Sequence, residues 1–193
     1  MNQLFYHGMQ PRKATLCKIH KMLEIIDSGG LKSNRLLGNN LAHGYNGLDY
    51  ISVCSREKFY KYWNKEESAF NIFIKNNFCF IFSGEVPAVK TSYLDYDRFA
   101  HYDDLVEYMD IFSGQRFSDL FDEWQVRDEI PLSYIVGLGI PIKRIMKYQG
   151  CSDEILREID HLYMLARLFN WDIVDSSSLF SFYNYEKRKV KKK

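Results

Sequence analysis

No stretch of this chain approaches the roughly 20 consecutive apolar residues of a membrane-spanning helix, which predicts a protein without a membrane segment. The first seven residues lack a basic patch followed by an apolar run, so no secretory signal is expected there. Cys17, Cys54, Cys79 and Cys151 are widely spaced, with no C-x-x-C pair among them. That spacing argues against a disulfide framework and for a reducing, cytoplasmic compartment. Cys17 and His20 lie about one helical turn apart, but no second pair completes a tetrahedral set, and no metal is expected. Net charge is only +1, so no global field draws the chain towards nucleic acid or a lipid surface. A Walker loop, a G-x-S-x-G elbow, internal repeats and low-complexity segments are all missing.

Aromatic residues are what the chain has in excess, at 16%, with 14 Tyr and 14 Phe. Most must be core, although Tyr and Phe also suit half-buried sheets and flat ligands. With 193 residues the chain fits one domain with at most a small appendage.

Leu4, Phe5 and Tyr6 read as a first strand closed by His7-Gly8. Leu16, Ile19, Met22, Leu23 and Ile26 recur at helical spacing, which predicts a helix over 12–28 stopped by Gly29-Gly30. Residues 32–46 read as a loop. A strand follows over 48–54, with Tyr50, Ser52 and Cys54 on one face. Charge and aromatics at mixed spacing predict one or two helices over 55–76. Residues 77–83 form a continuous apolar strand, and Pro87 forbids a regular central strand beyond it.

Residues 90–121 pattern poorly, as lids and binding loops do, and are rich in acidic residues. Residues 122–128 alternate, with Glu123, Gln125 and Arg127 facing one way and Trp124 and Val126 the other. A turn over 131–135 leads into a strand over 135–140. Ser152 then caps a helix reaching Phe169, with Ile155, Ile159, Leu162, Ala166 and Phe169 as its apolar face. His161, beside that stripe, reads as a half-buried helix residue. Gly137-Leu138-Gly139 resembles part of a dinucleotide fingerprint but lacks the third glycine and the following helix. The last residues, 186–193, are a basic tail expected to be solvated.

The remaining chemistry-bearing residues are spread: Tyr6, His7 and Gly8 at a strand end, Tyr50 on a strand, and Glu123 opening another. Their order and context resemble the ADP-ribosyltransferases of the His-Tyr-Glu type, the branch of diphtheria toxin and the poly(ADP-ribose) polymerases. There an apolar strand ends in His-Gly and is followed by a helix and Gly-Leu. Here Leu4 to Gly8, the helix over 12–28 and Gly30-Leu31 stand in those places. The family's Gly-containing loop, Tyr strand and second aromatic match Gly44 to Gly47, Asp49-Tyr50-Ile51-Ser52, and Tyr60 or Tyr62. Its Glu strand matches Asp122-Glu123-Trp124-Gln125-Val126, followed by Leu132-Ser133-Tyr134-Ile135. Residues 129–138 also look like the bacterial toxins that ADP-ribosylate DNA bases.

The resemblance covers residues 4–142 and implies an α+β fold, a split β-sandwich of two small antiparallel sheets with flanking helices. Residues 150–185 would then be a helical extension of a single domain over 1–193. It implies NAD as substrate, with no metal, and transfer of ADP-ribose to a protein or a DNA or RNA base. The barrier lies in stabilising an oxocarbenium-like ribose. The resemblance gives Glu123 that task, Tyr50 with Tyr60 or Tyr62 the nicotinamide ring, His7 the adenine-side ribose and Gly8 the carboxamide. Tyr6 and Ser52 flank these as ligand-contacting candidates.

Such an enzyme would be a bacterial or phage toxin or effector, acting in the cytoplasm or delivered into a host's, with an antitoxin or immunity protein as a partner. Residues 90–121 would choose the acceptor. There are departures too: Met9 stands where the family commonly has Ser or Thr. An Arg-Ser-Glu site would promote Ser52 instead, but Phe121 occupies its Gln or Glu position and His7 that of its Arg. Two competing readings are an RNA 2′-phosphotransferase, which wants Arg-rich phosphate contacts, and a non-catalytic module that binds an NAD-like ligand or a partner.

Overall fold

The computed structural model describes residues 4–38, 49–55, 60–62, 65–67, 74–90, 123–148 and 152–177. For residues 60–62, 65–67, 89–90, 123 and 147–148 it describes the backbone alone. The fold is mixed α and β, built on one seven-stranded sheet. Its strands are β1 (Leu4–Gly8), β3 (Tyr50–Ser55), β6 (Cys79–Ser83), β7 (Val89–Lys90), β8 (Glu123–Arg127), β10 (Ile135–Ile140) and β11 (Asp172–Asp175). The spatial order is β11-β10-β6-β1-β3-β8-β7. Every pair is antiparallel except β10 and β11. Two further pairs stand apart: β2 (Gly30–Lys32) with β9 (Glu129–Pro131), and β4 (Tyr60–Tyr62) with β5 (Lys65–Glu67).

The apolar helix stripe read from the sequence becomes α1 (Thr15–Asp27), which buries Ile19, Met22, Leu23 and Ile26 against one face of the sheet. Helix α3 (Asp153–Leu168) packs beside it and adds Leu162 and Ala166 to the same core. Ser152 caps α3 by accepting a hydrogen bond from the Ile155 amide at 3.3 Å. That core takes the odd residues of β1 and β3, Phe5, Ile51 and Val53, with Phe80 and Phe82 of β6. The opposite face holds a smaller cluster of Tyr6, Cys54, Ile74, Cys79 and Ile81. Period-two alternation therefore sorts each central strand between two cores.

The structure departs from the sequence expectations in four places. In place of the two small antiparallel sheets expected, the described residues form one seven-stranded sheet and two small pairs. Part of the segment expected to be helical, 55–76, is the β4–β5 hairpin, in register Tyr60 to Glu67. The turn expected at 131–135 follows a strand, β9, and contains a 3-10 turn at Leu132–Tyr134. Asp128 explains that strand: its φ of 62° redirects the chain out of the main sheet towards β2, and Asp tolerates that conformation better than most residues. The C-terminal extension is also more than an appendage, because β11 pairs with β10 and α3 completes the main core. A short helix, α2 (Ile142–Tyr148), leads towards it.

Gly137 and Gly139 have a packing role. A Cβ at Gly137 would come within 2.9 Å of the Asp172 carbonyl, and one at Gly139 would overlap Cys79 Sγ. These glycines let β10 lie close to β11 and β6, which accounts for their spacing without any dinucleotide. No helix among the described residues is long and apolar enough to cross a membrane.

Candidate functional site

The strands that carry His7, Tyr50 and Glu123 are immediate neighbours, in the order β1-β3-β8. Their register is continuous: Tyr6 pairs with Cys54, and Cys54 with Glu123, while Tyr50 pairs with Arg127. Phe5 and Trp124 brace the three strands from the helix side, with ring centroids 5.4 Å apart in an edge-on arrangement. An ion pair between Arg35 and Asp49 holds the entry to β3 just before Tyr50. Neighbouring strands lie about 4.8 Å apart, so residues far apart in sequence fall within one ligand's length.

His7 is the best defined of the candidates. Its Nδ1–H donates to the Ser52 carbonyl at 2.8 Å, tying the end of β1 to β3. A carbonyl only accepts, so the proton sits on Nδ1 and the neutral ring presents Nε2 as an acceptor. Burial pushes the His7 pKa below its ordinary value, with the Ser52 bond opposing in part. The ring is therefore a neutral acceptor at physiological pH, suited to a hydroxyl and unsuited to pairing with a phosphate.

The other candidates divide. Tyr50 and Ser52 are half-buried on the sheet face opposite His7, since their neighbours Ile51 and Val53 share His7's face. Tyr6 is only 3% exposed and packs in the smaller core with Cys54 and Ile81, so packing accounts for it. Glu123, Tyr60 and Tyr62 are placed by their backbones, on β8 and β4. Residues 90–121 lie outside the described residues except at Lys90.

A cavity of about 420 Å³ opens between the end of β1 and α1. His7, Gly8, Met9 and Gln10 line one side, and Lys13, Cys17, Lys18, Lys21 and Ile25 the other. The cavity thus takes in His7 and Gly8 but neither Tyr50 nor Ser52. Asn77 organises its rim: its amide donates to the Met9 carbonyl and its Oδ1 accepts from Lys18 Nζ at 2.8 Å. Lys18 also donates to the Pro11 carbonyl at 3.0 Å.

Sequence reasoning missed two features. The lysines of α1 belong to no motif in the sequence, although Lys18, Lys21 and Ile25 recur at helical spacing beside a strand ending in His-Gly. Gln125 was expected on the polar face, yet it is 1% exposed and pairs in register with Ser52. Among the described residues no group of three or more His, Cys, Asp or Glu is placed to hold a metal ion. No family model, curated protein or solved structure significantly matches this chain.

Proposed function

We propose that this protein transfers ADP-ribose from NAD to a macromolecular acceptor, on an ADP-ribosyltransferase-like fold. One observation carries the reading: the three motif strands, spread over more than 100 residues of chain, are consecutive in one sheet, and His7 is hydrogen-bonded to β3. A neutral His7 with a free acceptor nitrogen suits a ribose hydroxyl, the role that the resemblance gives it.

The chemistry asks little of acid–base machinery, because nicotinamide leaves as a neutral group from a cationic ring. The demand is for directed negative charge beside a ribose becoming an oxocarbenium ion. Glu123 is the carboxylate proposed for that position, and it would also take the proton of the incoming acceptor. Tyr50 offers an electron-rich ring to the nicotinamide cation. An acidic segment before Glu123 favours a protein acceptor over a nucleic acid, because phosphates are repelled by carboxylates. The setting that this reading implies is a toxin or effector.

The test is label transfer from NAD carrying labelled adenine to lysate protein, DNA and RNA, offered separately. Transfer by the wild type that Glu123→Gln abolishes supports the reading, and the labelled fraction names the acceptor class. A second reading, a module that binds a nucleotide without turning it over, is favoured by the opposite facing of His7 and Tyr50. Binding of NAD with no chemistry in any fraction would select it.

A further inference from the structure

The most distinctive unassigned feature is the cavity beside α1, where three lysines gather and only Lys21 has an acid partner among the described residues. Lys13, Lys18 and Lys21 reach it from one helix and the turn before it, and among the described residues no carboxylate lines it. Lys21 is paired with Glu24 at 2.9 Å. Lys13 and Lys18 make no salt bridge among the described residues, whose ion pairs lie elsewhere. Arg144 stands close enough to Lys18 to act on it: with burial as the larger cause, it lowers the Lys18 pKa. Arg144 itself is anchored to the Asn76 carbonyl at 3.2 Å. Lys18 is thus a partly buried cation held in place near a second one, a setting that an anionic ligand would relieve.

We infer that this cavity binds the diphosphate of a nucleotide, with Lys13 and Lys18 as the charges that hold it. Lys18 is oriented by its bonds to Asn77 and Pro11, which spend two of its three donors and leave one. Lys13 lines the same cavity from the turn before α1. Two ammonium groups lining one cavity suit two linked phosphates better than a single carboxylate, because each lysine acts as a point charge. The volume, about 420 Å³, lies within the range of small-molecule and cofactor sites, roughly 300–1,000 Å³. Met9 and Ile25 supply apolar wall for a nucleoside, and His7 lines the same cavity. The inference rests on the transfer reading only where it identifies the nucleotide as the ADP half of NAD; the lysine site itself does not depend on catalysis.

The experiment measures binding of ADP and of inorganic pyrophosphate by calorimetry, to the wild type, Lys13→Gln and Lys18→Gln. The expected result is saturable ADP binding that each variant weakens about tenfold, equivalent to about 1.4 kcal/mol, and that added salt also weakens. Pyrophosphate binding with the same lysine dependence, but more weakly, would show that the nucleoside adds contacts. Lys18→Gln also removes bonds that hold the rim, so melting temperatures are compared, and Lys13→Gln is the variant expected to leave folding intact.

An independent reading comes from Cys17, which is exposed and lines the cavity. In a Cys151→Ser background, ADP should slow its alkylation by a maleimide. No binding of either probe, or binding and protection indifferent to both lysines, overturns the inference. Lysine-dependent ADP binding without nicotinamide release from NAD would sink the transfer reading and leave this one standing. Nicotinamide release from NAD together with ADP binding indifferent to both lysines would do the reverse.

Discussion

Replacing Gly139 with Ala offers a stringent check on the pairing of β10 with β6. The added Cβ would overlap Cys79 Sγ, whereas the next nearest atoms, Ser176 Cβ and Cys79 O, lie at 3.6 and 3.8 Å. One sulfur atom is therefore the whole obstacle. Cys79 is fully buried, so overpacking should cost about 1–3 kcal/mol. For a chain of this length that corresponds to a fall in Tm of about 2–4 °C per kcal/mol. Cys79→Ala alone removes a buried sulfur and should cost roughly 1 kcal/mol. In the double variant the new methyl meets only ordinary contacts and partly fills the space left by the sulfur. The two substitutions should therefore couple favourably by about 1–2 kcal/mol, well beyond the roughly 0.3–0.5 kcal/mol within which independent sites add. Urea denaturation of the four proteins gives the coupling directly. Additive costs would refute the close approach of Gly139 to Cys79, and with it the register in which β10 pairs with β6.

Other expectations can be checked alongside. Gly30→Ala has no rescuing partner, since its Cβ would strike the backbone at Ile130 and Pro131 and its φ is 148°; a loss of about 2 kcal/mol or more is expected by denaturation, and a neutral result would contradict the β2–β9 pairing. The His7 pKa is lowered in the folded state, so the unfolded chain binds the proton first as pH falls. Stability should thus be full above about pH 6.5 and decline as pH falls towards the folded value, and His7→Gln should flatten that part of the profile. Cys79, its thiol pushed up to about 12 by burial, should react with maleimide only on global unfolding, whereas exposed Cys17 should react in the native protein.

Much of the central sheet was legible because its strands carry strong patterns. The apolar run at 135–140 became β10 at the bounds expected, and Tyr50, Ser52 and Cys54 share a face as alternation requires. Short elements were not legible. Three-residue strands such as β2 and β9 are too brief for any period, and their pairing depends on the backbone turn at Asp128 and the close approach at Gly30. Residues 60–62 and 65–67 mislead because aromatics and charges at mixed spacing fit paired strands or a helix equally well.

The candidate site was legible as a set of strands and not as a set of directions. Order along the chain says that the His7, Tyr50 and Glu123 segments belong together, and the sheet places them side by side. Which face each side chain takes depends on register, and one residue of difference sends His7 and Tyr50 to opposite sides. Tyr6 was drawn into the candidate set by its neighbour His7, yet the same alternation commits it to the smaller core. The lysines of the α1 cavity carried no local motif at all. Only the packing of α1 beside the end of β1 turns three unremarkable charges into a lined site.

The proposed transfer requires that the bond between nicotinamide and ribose in NAD be broken. The most direct measurement follows free nicotinamide by chromatography during incubation of NAD with the wild type and with Glu123→Gln, with matched melting temperatures as the control for folding. The account predicts steady release by the wild type and a fall of at least about a hundredfold in the variant, the scale of losing one directed charge at the transition state. Equal release by both proteins, or none from a folded wild type supplied with protein, DNA and RNA acceptors, would contradict it.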